Sequence, residues 1–177
     1  MENVAMLSEK MLNGLNDQIT KELYSAYLYL QMAAWFDSHS LPGMANWMKV
    51  QAQEETSHGM ILYNYVNERG GTVALGAIDK PEGDFAKPLD VFKATLAHEE
   101  IVTASINNLV SIAEEEKDYA SRGRLLWFVD EQVEEEGNAM DLIGMLEMVQ
   151  DGNGLFQVDK DLAGRVFTVP SPLVAGA

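Results

Sequence analysis

Ala52-Gln53-Glu54-Glu55-Thr56-Ser57-His58 sets a carboxylate and an imidazole three positions apart inside a long stretch of helical period. Residues i and i+3 of a helix project from one face, so Glu55 and His58 can reach a common point. A divalent metal is the simplest occupant of that point. Glu and His fall three apart by chance on many solvated helices, so the pair acquires meaning only if the rest of the chain supplies partners.

The flanking sequence supplies them. From Ser8, placed as an N-cap, to about His39 there is no proline, and Leu15, Ile19, Glu22, Ala26, Tyr29, Ala33 and Phe36 form one stripe in steps of three and four. Pro42 opens a second helix that closes at Gly70-Gly71, with Met44, Met48, Ala52, Glu55, Gly59, Leu62 and Val66 in its stripe. Pro88 opens a third through about Glu116, striped Phe92, Leu96, Glu99, Val102, Ile106, Val110, Ala113. A break at Glu116-Lys117-Asp118 leads to a fourth, ending near Asp151-Gly152, striped Leu125, Phe128, Gln132, Glu135, Ala139, Leu142, Leu146, Val149. Residues 155–165 predict a short fifth helix, and the tail 166–177, through Val169-Pro170-Ser171-Pro172, is expected to be extended.

The connection 70–87 is rich in Gly, Pro and short polar residues and is too long for neighbouring antiparallel helices. It suits a crossover along the length of a bundle. The fold predicted is therefore all-α: one domain over 1–177, a four-helix bundle with a crossover between the second and third helices and a short fifth helix at its end.

Each stripe carries polar residues in a core register. Glu22 lies about 14 residues from Ser8, Glu55 about 14 from Leu41, Glu99 about 11 from Pro88 and Gln132 about 14 from Asp118, which puts all four near mid-height. Burying one unpaired carboxylate costs several kcal/mol, and a group of them repel one another as well. Bound cations reverse that repulsion. Oxygen-rich ligation with one nitrogen fits Fe(II) or Mn(II) better than a structural zinc site. The alternative without metal holds each polar residue protonated or hydrogen-bonded in a structural bundle.

Composition narrows the function further. With 12 Lys and Arg against 28 Asp and Glu the formal charge is -16, which opposes binding to nucleic acid or an anionic membrane surface and suits cations. There is no cysteine, so thiolate metal sites, iron-sulfur clusters and cysteine nucleophiles are excluded. The start, Met1-Glu2-Asn3-Val4-Ala5-Met6, lacks the pattern of a signal peptide, and no run is long enough to span a membrane, so a cytoplasmic protein is expected.

Five segments together carry a resemblance: KELYSAYLY around Glu22 and Tyr29, AQEETSH around Glu55 and His58, AHEE around Glu99, WFVDEQVEEE around Gln132 and Glu135, and FQVDKDL in the fifth helix. From about Leu12 to Asp161 the chain resembles the non-haem bacterial-type ferritins. The resemblance implies that Glu22, Glu55 and His58 hold one iron and that Glu55 bridges to a second held by Glu99 and Glu135, with Gln132 beside the pair. It implies a third iron at Glu54, Glu131 and Glu134, and a role for Tyr29 as orienting group or one-electron donor, assisted by Trp127. Gln132-x-x-Glu135 stands where haem-binding bacterioferritins and rubrerythrins keep a second Glu-x-x-His, and Thr56 stands where bacterioferritins have their haem-binding methionine; both point to the branch without haem.

His39 and His98 are read as cap or surface residues, and Glu115 and Asp118 as candidates for an iron channel. What the resemblance implies for function is iron storage with ferroxidase activity, Fe2+ and O2 as substrates, in a homo-oligomeric 24-subunit cage. It also implies that the connection around Lys80-Pro81 to Pro88 pairs between subunits. A small di-iron or di-manganese oxidase that stores nothing is the alternative within the same chemistry.

Overall fold

Ser8 caps the first helix, its hydroxyl accepting from the Met11 amide at 3.0 Å. The computed structural model describes residues 7–149 and 152–174, so the first six residues, the end expected near Asp151 and the last three residues of the tail lie outside the described residues. Four long helices follow: α1 (Glu9–Ser38), α2 (Pro42–Glu68), α3 (Pro88–Glu115) and α4 (Tyr119–Val149), then α5 (Asn153–Leu162) and a single turn, α6 (Ser171–Val174). No strand occurs among the described residues.

The stripes of α1, α2 and α4 are buried as their spacing predicts, apart from the half-buried Val149 at the end of α4. That of α3 drifts. Leu96 and Val110 are half-buried, while Thr95, Leu109 and Ile112 take core positions, because 3.6 residues per turn lets either the third or the fourth residue face inward. The fifth helix begins and ends earlier than expected, at Asn153 and Leu162. The tail is not extended throughout: Ser171–Val174 closes one helical turn, with the Leu173 amide donating to the Pro170 carbonyl at 3.0 Å. Pro172 fits there, since the first turn asks no intrahelical bond of its missing N–H.

Three helices end in the same way. At the ends of α1, α2 and α3 the residues Ser40, Gly70 and Lys117 have φ of 59°, 69° and 57°, and the following amide returns to a carbonyl five residues back: Leu41 to Phe36, Gly71 to Val66, Asp118 to Ala113. Only one of the three is a glycine.

The crossover runs beside α1 in the direction of that helix. Asn16 bonds the Thr72 carbonyl and the Ala74 amide at 3.1 Å each, Thr20 accepts from the Gly76 amide at 2.9 Å, and Phe85 packs edge-on against Trp35. Helices α2 and α3 are therefore parallel, and α1–α2 and α3–α4 are antiparallel hairpins.

Two apolar cores stack along the bundle axis. One gathers Tyr29, Phe36, Met44, Met48, Phe92 and Leu142; the other gathers Leu15, Ile19, Leu62, Val66, Ile106 and Phe128. Between them lies a layer of buried polar side chains. Helix α5 closes one end: Asp159 accepts from the Met44 amide at 2.8 Å, capping α2 from another helix. Gly43 makes that approach possible, since a Cβ there would stand 1.6 Å from the Asp159 carbonyl oxygen.

Candidate metal centre

The polar layer brings together Glu22 from α1, Glu55 and His58 from α2, Glu99 from α3 and Glu135 from α4, all at most 4% exposed. Their ligand atoms fall into groups whose members lie within 4.8 Å of one another. Glu22, Glu55 and His58 form one group and Glu55, Glu99 and Glu135 another, so Glu55 belongs to both. A third group, His58, Glu131 and Glu135, lies toward the α4 surface.

Neither ring nitrogen of His58 is within ordinary hydrogen-bond distance of a carboxylate. Nδ1 is 3.5 Å from Glu55 and Nε2 is 3.6 Å from Glu131, and Nε2 has no hydrogen-bond partner among the described residues. The ring is held by packing instead, edge-on to Trp127 and Phe128 at 5.6 and 5.9 Å. A buried imidazole with an unsatisfied nitrogen, facing buried carboxylates, is a donor set suited to a divalent ion.

Burial keeps protons on most of these acids. It raises Glu22 and Glu135 well above the usual carboxylate range, with the neighbouring Glu55 charge adding to the effect, and it raises Glu99 to about 7. Burial acts the same way on Glu55, but the imidazolium of His58 beside it and the hydrogen bonds from Glu22 and Gln51 outweigh it and hold this one carboxylate below its ordinary value. Burial opposes the charge of His58; the Glu55 carboxylate overcomes that and holds His58 well above the usual imidazole range. The metal-free centre thus favours charge on Glu55 and His58, which lie 3.5 Å apart, and favours protons on the acids around them.

The other predicted residues are distributed around this core. Tyr29 is fully buried and donates to Glu99; burial first and the Glu99 charge second push its phenol well above 10. Gln132 donates to the other Glu99 oxygen at 3.0 Å. Glu131 is partly buried beside His58, Glu134 is exposed and outside the three groups, and Glu54 is paired with Arg165 at 2.5 Å.

His39 stacks on Trp35 and bonds its carbonyl at 2.7 Å, a capping role as expected. His98 is not a surface residue. It is half-buried, 2.7 Å from the Ser25 hydroxyl and edge-on to Tyr29, because its register on α3 turns it between α3 and α1. Glu115 pairs with Lys10, and Asp118 accepts from Arg69 and from the Ser121 amide and hydroxyl at the start of α4.

Two glutamines escaped the sequence reading. Gln18, one turn before Glu22, donates to it at 2.8 Å, and Gln51, one turn before Glu55, donates to Glu55 at 3.2 Å and Glu135 at 2.6 Å. Their signal was present: each is a polar residue four before a core glutamate, on the same face.

A family model described as a ferritin-like domain matches residues 12–149. The chain belongs to the ferritin family. This ferritin is 42% identical over 163 residues to a bacterial non-heme ferritin of Staphylococcus aureus, covering 92% of this chain and 98% of that one. Its fold is similar to that of an Archaeoglobus fulgidus ferritin engineered into a closed form by site-directed mutagenesis, with a TM-score of 0.90, 47% identity, and 92% and 99% of the two chains covered. An open-pore ferritin from the same hyperthermophilic archaeon superposes with a TM-score of 0.89 at 46% identity, covering 90% of this chain and 98% of that one.

Proposed function

We propose that this ferritin stores iron and oxidises it on entry: two Fe2+ bind side by side in each subunit, O2 takes one electron from each, and Fe3+ passes on to a hydrated oxide held inside a 24-subunit cage. The observation that carries the reading is the pair of ligand groups sharing Glu55. Glu22 and His58 serve one ion, Glu99 and Glu135 the other, and Glu55 bridges them.

Charge explains the sequence of events. Four carboxylates and a neutral imidazole balance two divalent cations, so binding must expel the protons that burial favours on Glu22, Glu99 and Glu135 and the one that the Glu55 carboxylate favours on His58. Oxidation then leaves two surplus positive charges in a buried site. That excess favours uptake of oxide or hydroxide and departure of the product. Tyr29 and Gln132 donate to opposite oxygens of Glu99 and so orient it toward its metal, while Trp127 braces His58. A third iron at Glu131, Glu134 and Glu54 competes with Arg165 for Glu54.

Aerobic addition of Fe2+ should give a rapid visible absorbance, slowed by a hundredfold or so in Glu55→Ala and His58→Ala, on the scale of losing a positioned metal ligand. Unchanged rates in both variants would refute the site. Size-exclusion chromatography tests the cage, since elution as a monomer or dimer is the behaviour of a small oxidase that stores nothing.

A further inference from the structure

Gln18 and Gln51 share an arrangement that reaches beyond the site. A side-chain amide accepts through its oxygen and donates through its nitrogen, so a group donating to the oxygen turns the N–H2 the other way. For Gln18 that group is the Ser105 hydroxyl, 2.6 Å from Oε1, which itself receives from Lys21 at 2.7 Å. For Gln51 it is Arg165, in the segment that follows α5.

Arg165 is locked in place from several sides. Its Nη1 donates to Gln51 Oε1 at 2.9 Å and to the Trp47 carbonyl at 3.3 Å, Nη2 donates to Glu54 at 2.5 Å, and the guanidinium lies 4.3 Å over the Trp47 ring. The Arg165 carbonyl accepts from Asn46 at 2.9 Å, which ties the segment to α2. A guanidinium has no acceptor, so while Arg165 is present the Gln51 nitrogen must face inward, where it meets Glu55 and Glu135 together.

We propose that Arg165 is a positioning residue for the metal centre: through Gln51 it holds Glu55 and Glu135 at their mutual spacing, and its guanidinium is the standing counter-cation of Glu54. The inference rests on the metal-centre reading above. Without Arg165 the Gln51 amide is free to turn its oxygen toward two carboxylates, which separates them. Glu55, Glu99 and Glu135 form one ligand group, whereas Glu22 is held by Gln18 and His58 by its aromatic neighbours. The loss therefore falls harder on the metal of that group, two of whose ligands Gln51 holds, than on the other, which shares only Glu55 with it.

Anaerobic titration of the whole protein with Co2+, followed by its visible bands, tests this beside the Fe2+ oxidation rate. Arg165→Met should weaken one Co2+ by about 10- to 100-fold, the range for losing a group that orients a metal ligand, and weaken the other, which shares only Glu55, by less. Gln51→Met should do the same, and the double variant should be no weaker than Gln51→Met alone, because both substitutions remove one relay. Arg165→Lys keeps the charge and the stem over Trp47, serves Glu54 or Gln51 but not both, and should show the same selective loss at smaller size. Unchanged Co2+ affinities in both Arg165 variants, or losses in Arg165→Met and Gln51→Met that multiply in the double variant, would overturn the inference alone. An unaltered protein that binds no Co2+ would overturn the metal-centre reading and this inference with it.

Discussion

Glu55 is the one acid of the buried layer held below its ordinary pKa, and the others titrate against it. Glu99, at about 7 against an ordinary 4.5, binds its proton more tightly folded than unfolded. Its contribution to stability is therefore complete below about pH 4.5 and is lost as pH rises through about 7, a change on the order of 3 kcal/mol. The metal-free protein should melt at a lower temperature at pH 8 than at pH 5.5, and Glu99→Gln should flatten that dependence, as read by circular dichroism. Metal affinity should run the other way, rising with pH and releasing protons that calorimetry in buffers of different ionisation heat can count. At this scale the carboxylates were legible because a charged residue in an apolar stripe is conspicuous. Gln18 and Gln51 gave only a weaker signal, their place one turn before a core glutamate, because a neutral amide breaks no pattern; Arg165 gave none, since an arginine beyond the last long helix has no register to place it.

Helices were the most legible feature, since proline starts and glycine or polar stops bracket four unbroken periods. What the periodicity did not show is that Lys117 ends α3 in the left-handed conformation that Gly70 supplies at the end of α2. Lys117 is exposed, so Lys117→Gly should stabilise the protein by about 0.5–1 kcal/mol, measured as a shift in the denaturation midpoint. Gly43 has the opposite sensitivity. Gly43→Ala drives a methyl into the Asp159 carbonyl, and should release α5 from the start of α2 at a cost of about 1–3 kcal/mol, seen as faster amide exchange across 153–162. The docking of α5 could not be read in advance, because it depends on a contact between residues 115 positions apart.

For the whole molecule, the polar layer is a weak point that bound metal would repair. Free divalent ion at a hundred times its dissociation constant should add about 2.7 kcal/mol per site to the unfolding free energy. A chelator should remove the gain, and Glu55→Ala should lose most of it at both sites because Glu55 belongs to both ligand groups. The crossover beside α1 also divides the candidate ligands by hairpin: Glu22, Glu55 and His58 all lie on α1–α2, while Glu99 and Glu135 lie on α3–α4. One half of the centre is therefore complete as soon as the first hairpin closes, and the other half exists only after the second has docked against it. An ion captured by the nascent first hairpin would template that docking, so refolding begun in the presence of metal should gain its second binding step together with the last folding phase, and stopped-flow absorbance would time the two events against each other.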